Sequence, residues 1–246
     1  MVRVSWSGRV LTLVLDRPER RNAVDLATLG EVDEALDEAV AGGPDERARV
    51  IVLTGAAPAF CAGADLTGVD EDEFAGALGR VLARLAAIDL PVIAAIDGPA
   101  LGAGAQLASV CDLRVATPAS RIGIPAARLG LVVDHWTVQR LVRAFTEPIA
   151  RAMLLVAETY AAERLYAAGV VHRLGDLAAA EQWAADISEL APLTIAAHKL
   201  AIEHSSFEPG VVELVDTARR AAWASSDAAE GRAAFLEKRT AVFTGR

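Results

Sequence analysis

The chain is 246 residues long, enough for one large or two small domains around a sizeable apolar core. Hydrophobic residues make up 53% of it, yet no charge-free stretch is long enough to cross a bilayer, which needs ~20 apolar residues, and one of the longest, Gly98 to Cys111, is also glycine-rich. The net charge of −9 argues against a general nucleic-acid binder, which needs a basic field, but leaves room for one small anion at a local cluster such as Arg17, Arg20 and Arg21.

The first apolar run, Val10 to Leu15 (VLTLVL), reads as a strand ended by the Asp16-Arg17-Pro18 turn. It lacks the length and small-residue cleavage site of a secretory signal. Asp25 is placed to N-cap a helix whose apolar positions Leu29, Val32, Leu36, Ala39 and Val40 recur at three-four spacing, and Gly42-Gly43-Pro44 stops it. Arg49 to Leu53 is almost wholly apolar and β-branched, as a strand covered on both faces would be. A helix from about Asp72 to Ile88 follows, then a buried strand from Pro91 to Ile96. Gly98 to Gly104 opens a short helix ending near Val110, and Asp112 to Ala116 is another strand.

This alternation predicts a parallel α/β sheet built from strand–helix–strand crossovers. After about Thr137 the pattern turns helical, over 137–145, 147–157, 161–168, 176–190, 194–204, 211–224 and 227–238, with a candidate strand at 170–174. The expected organisation is an α/β core over residues 1–190 and a helical oligomerisation or lid region over 191–246. Cys61 and Cys111 fit no metal spacing and are too few for a disulfide framework, so no metal is expected and a reducing cytoplasm is the expected compartment.

Two strands each run into a loop of tiny residues: 60–66 (FCAGADL) and 98–104 (GPALGAG). Small side chains let a ligand approach backbone N–H groups closely, and a helix N-terminus adds partial positive charge. Two such donors aimed at one oxygen make an oxyanion hole. The plainer reading is a pair of tight turns with close strand–helix packing. A dinucleotide loop is disfavoured, because Gly98, Gly102 and Gly104 have the wrong spacing.

The runs RPERRNAV (17–24), VIVLTG…AFCAGADL (50–66) and PVIAAIDGPALGAGAQLASVCDLRVAT (91–117), with FLEKRTAVF (235–243), resemble the enoyl-CoA hydratase/isomerase (crotonase) family. The resemblance implies a spiral of ββα units with a helical trimerisation region, assembled as trimers or hexamers. It implies an acyl-CoA or enoyl-CoA ligand and no cofactor beyond the coenzyme A of the thioester. The oxyanion donors would be the N–H groups of Ala64 and Ala103. Coenzyme A would lie along Arg20, Ala23 and Val24, with Ala62, Asp65 and Leu66 around its adenine. Phe235 and Lys238 would reach the nucleotide from a neighbouring subunit.

Hydratases of this family use two glutamates sharing a water. The family register puts Gln106 and Ala126 at those positions, and neither can act as a general acid or base. Certain isomerases and a dehalogenase of the family place an aspartate where Asp134 stands, and the apolar approach from Leu129 to Val133 suggests desolvation that would raise its pKa. Asp134 is equally suited to N-capping the helix that follows. Trp136 is expected to line an acyl pocket with Gln106 and Ala126. Three readings follow: an acyl-CoA binder of lipid metabolism without efficient hydration, serving a lipid-metabolising partner; an isomerase with Asp134 as base; and a slow hydratase in which Gln106 positions water.

Overall fold

The structure, a computed structural model of one chain, describes residues 1–65, 67, 70–204 and 208–246, the side chain of Glu71 excepted. The chain opens with an antiparallel hairpin, β1 (Val2–Ser7) and β2 (Val10–Leu15), turning at Gly8, whose φ of +57° suits glycine. Asp25 caps α1 (Leu26–Val40), accepting the Thr28 N–H at 2.8 Å. Then come β3 (Val50–Gly55), α2 (Glu71–Ala87), β4 (Val92–Ile96), the short β5 (Pro99–Leu101), α3 (Ala103–Val110), β6 (Leu113–Ala116) and β7 (Arg121–Gly123). The second half holds α4 (His135–Phe145), α5 (Glu147–Val156), β8 (Thr159–Ala161), α6 (Ala162–Ala167), β9 (Arg173–Leu174), α7 (Leu177–Ser188), α8 (Pro192–Glu203), α9 (Pro209–Ala224) and α10 (Ser226–Glu237).

The main sheet has the order β1-β2-β3-β4-β6-β9, parallel from β2 onward. Side chains alternate across it as strand geometry requires. On one face Val50 and Val52 of β3 join Val10, Ile93 and Val115 against Ala180 and Ala184 of α7. On the other, Ile51 and Leu53 join the larger core with Leu29 and Leu36 of α1 and Leu82 and Leu85 of α2. A second sheet, β5-β7-β8, stands at the end of the first where the parallel strands finish. The chain thus has the mixed α/β architecture and helical C-terminal region read from its sequence, with β1 and the three-residue strands added. Among the described residues no helix is long and apolar enough to cross a membrane.

Helix α8 is tied to the core by buried charge. Lys199 Nζ donates to Asp112 Oδ2 at 2.7 Å and to the carbonyls of Leu90 (2.8 Å) and Leu85 (3.3 Å). The same Asp112 oxygen accepts the N–H of Val92, so one carboxylate holds the start of β4 and the helix together. One turn further along α8, Glu203 pairs with Arg140 of α4.

Candidate functional site

Both glycine-rich loops leave the same end of the sheet, where the hydrogen bonds of β3 and β4 run out. Cys61 and Ala100 form a parallel bridge, with the Cys61 N–H on Pro99 O at 3.0 Å and the Leu101 N–H on Cys61 O at 2.9 Å. A second parallel bridge joins Val24 to Ala64, through the Val24 N–H on Gly63 O (2.9 Å) and the Asp65 N–H on Val24 O (2.8 Å). Three backbone segments, around residues 24, 61–65 and 99–101, therefore lie edge to edge.

That bridging pattern decides which amides are spent. In a parallel pair the bonds to Val24 come from the residues flanking Ala64, so the N–H of Ala64 itself turns away. Ala103 is the first residue of α3, and first-turn amides have no acceptor within the helix. Among the described residues neither amide has a hydrogen-bond partner. The residues before them touch: a Cβ on Gly102 would meet Gly63 Cα at 3.7 Å, and Gly102 has φ +53°. Behind them Cys61 is fully buried, and burial pushes its thiol up to about 11, which removes it as a nucleophile near neutral pH.

The loop before α1 is pinned by Asn22, to which the sequence alone assigns no role. Asn22 is buried in the left-handed region (φ +57°), and its Nδ2 donates to Ala56 O and Ala59 O, each at 2.6 Å. Its Oδ1 accepts the Arg17 N–H at 2.9 Å. Arg17 then bridges Asp25 and Asp65, each at 3.0 Å. The bond from Thr67 and the Arg17 guanidinium hold the Asp65 carboxyl below the ordinary carboxylate range. Arg17 is thus occupied with structure, while Arg20 and Arg21 are exposed and, among the described residues, without carboxylate partners. Ala62 spends its N–H on Arg21 O, and Ala23 donates to Arg20 O. Leu66 lies outside the described residues.

Gln106 is buried in α3 at 9% exposure, and among the described residues its side-chain amide has no protein partner. Ala126 sits in a 3-10 turn, Pro125–Arg128, against the apolar core. Asp134 caps α4: Oδ1 accepts the Thr137 N–H at 3.0 Å and Oδ2 the Thr137 hydroxyl at 2.5 Å. Desolvation pushes its carboxyl up, but the Thr137 bonds and neighbouring amides outweigh it and the net shift is downward. The upward shift expected from residues 129–133 is therefore corrected. Leu129 and Val132 are exposed to solvent, so they do not dry the carboxylate.

Trp136, 42% exposed, lines a cavity of about 580 Å³ between α2, α8 and α9, with walls of small residues such as Ala83, Ala86, Ala197 and Ala221. Gln106 and Ala126 are not among its walls, so the three expected pocket residues do not share this cavity. At the other end of the chain, Phe235 is 83% exposed and Lys238 closes α10 in the left-handed region (φ +55°).

A parallel sheet delivering two glycine-rich loops edge to edge, followed by a helical C-terminal region, defines a crotonase-type fold. The family model described as enoyl-CoA hydratase/isomerase matches residues 6–246. A probable enoyl-CoA hydratase, echA6, of Mycobacterium tuberculosis is 42% identical over 253 residues, covering 100% of both chains. The 2,3-dehydroadipyl-CoA hydratase of Escherichia coli is 37% identical over 254 residues, covering 99% of this chain and 98% of that one. The solved enoyl-CoA hydratase of Bacillus anthracis is similar with a TM-score of 0.90 at 27% identity, over 100% of this chain and 99% of that one. The chain belongs to the enoyl-CoA hydratase/isomerase family.

Proposed function

We propose that this chain binds acyl-CoA, holds the thioester carbonyl between the N–H groups of Ala64 and Ala103, and does not hydrate enoyl-CoA efficiently. The observation that carries this reading is a pair of unspent amides on adjoining loops; Gln106 and Ala126, at the positions where the family resemblance puts the hydratase glutamates, supply no proton carrier. The alternative acid–base group suggested by the family resemblance, Asp134, has each carboxylate oxygen accepting a bond from Thr137. Those bonds help hold the carboxyl below the ordinary carboxylate range, which makes it a weaker proton acceptor.

The nucleotide half of the ligand suits the same loop system. Arg20 is free to pair with a phosphate, in a way that Arg17 is not. Ala23, Val24, Ala62, Asp65 and Leu66 would flank the rest of coenzyme A, with Phe235 and Lys238 reaching it from a second copy in a trimer or hexamer. Such a protein would carry or present acyl-CoA to a lipid-metabolising partner in the cytoplasm.

The test is calorimetric titration with saturated acyl-CoAs of graded length, alongside enoyl-CoA absorbance at high protein concentration. Chain-length-dependent binding with constant absorbance supports the proposal. Steady enoyl-CoA consumption at an enzyme-like rate overturns it.

A further inference from the structure

The last eight residues of the sequence, 239–246, fold back along α10 from its end to its beginning. Arg239 starts the return, its guanidinium pairing with Glu230 at 2.5 and 2.8 Å and with Glu237 at 2.6 Å. The Val242 N–H donates to Glu230 Oε1 at 3.0 Å. The Phe243 ring lies over Gly231, where an added Cβ would stand 3.5 Å from it. Both oxygens of Asp227 are then filled from the backbone, Oδ1 by the Thr244 N–H at 2.7 Å and Oδ2 by the Gly245 N–H at 2.8 Å. Ser226 closes the run, its N–H and hydroxyl donating to Arg246 O at 2.7 and 2.6 Å.

The residues that grip this strap, 227, 230 and 231, fall at three-four spacing on one face of α10. The buried residues of α10 are Asp227, at 3% exposure, and Ala234. The strap is also what ties the helix to the α/β core. Arg49, at the start of β3, donates to Phe243 O at 2.7 Å, and Arg246 pairs with Asp45 in the connection between α1 and β3. Phe235, Leu236 and Lys238 stand at the far end of the same helix, with both apolar side chains exposed.

We propose that Asp227 is a positioning residue for ligand binding: by clamping the 239–246 strap it fixes α10 against the core, and so sets where Phe235 and Lys238 meet the nucleotide half of acyl-CoA. This rests on the acyl-CoA reading above and adds a residue that touches no ligand. A buried carboxylate filled by two backbone amides is a strong and directional tie, because hydrogen bonds to an ionised acceptor are worth more than neutral ones. An asparagine of the same shape can accept only one of the two amides.

The experiment compares dodecanoyl-CoA with dodecanoyl-pantetheine, which lacks the nucleotide, on the full-length assembled protein. Asp227→Asn is expected to bind dodecanoyl-CoA about tenfold more weakly, with dodecanoyl-pantetheine affinity unchanged. Glu230→Gln, at the more accessible first clamp, is expected to move the same ratio in the same direction, and guards against a folding defect in the first variant. Hydrogen exchange at residues 242–245 should quicken in both. An unchanged affinity ratio, an equal loss for both ligands, or unaltered exchange overturns the proposal. A wild-type protein that binds neither ligand defeats the acyl-CoA reading itself.

Discussion

Gly104 packs so closely on Cys61 that a Cβ at position 104 would stand 2.1 Å from the Cys61 carbonyl oxygen and 2.9 Å from its Cβ. Two loops, one from β3 and one from β4, are locked together by that contact and by the Cys61–Ala100 bridge beside it. Gly104→Ala must therefore push the loops apart. Overpacking of this kind costs roughly 1–3 kcal/mol, which urea unfolding will register. Acyl-CoA affinity should fall with it, since the amides of Ala64 and Ala103 belong to the two separated loops. Wild-type affinity in a folded Gly104→Ala protein would show that loop spacing does not matter to the ligand.

Asp134 supplies a helix cap, which separates two substitutions usually expected to behave alike. Asn caps about as well as Asp, so Asp134→Asn should leave stability within a few tenths of a kcal/mol. Asp134→Ala should cost ~1 kcal/mol. The folded carboxyl lies below its ordinary value of 3.8. The ionised cap's contribution is therefore complete above that value and is lost as pH falls below it; it does not titrate near neutrality. A turnover in the wild type that Asp134→Asn abolishes would restore the base reading.

Removing Lys199 leaves the half-buried Asp112 carboxylate without its buried partner. Breaking a buried pair from one side typically costs ~3–5 kcal/mol, whereas replacing both partners is far milder. Lys199→Met should therefore lower the urea midpoint sharply, and adding Asp112→Asn to it should recover part of the loss. Additive losses in the double variant would mean that the two groups act independently.

Placing glutamates at 106 and 126, where the family resemblance puts the hydratase acids, provides the converse test of the proposed function. Gln106→Glu together with Ala126→Glu should bring measurable hydration of a short enoyl-CoA, read by loss of absorbance. Either change alone should bring little, because the reaction needs one group to take a proton and another to give one. Hydration by the unaltered protein at the rate of the double variant would contradict this.

The parts of the fold that were legible in the sequence are those set by local physics. The continuous apolar run of β3 announced a strand buried on both faces, and Asp25 announced the start of α1. Both glycine loops were readable because only tiny residues permit their approach. Contacts between distant segments were not. Strands β5, β7 and β8 are three residues each and exist through their pairing. Asn22 finds its acceptors at Ala56 and Ala59, far along the chain, so nothing nearby marked it as a pin. Of the three arginines, only the fold separates Arg17, held by two aspartates, from Arg20 and Arg21. Apolar identity at 129–133 does not amount to burial beside Asp134, because Val132 is almost fully exposed.

Vibrational spectroscopy of a bound saturated acyl-CoA, carbon-13 labelled at the thioester carbonyl, interrogates the two amides without requiring turnover. Two N–H donors on one oxygen weaken the C=O bond, so the stretch should move to lower frequency on binding, and move back in Gly104→Ala. A bound thioester whose carbonyl stretch matches that in water would contradict the account.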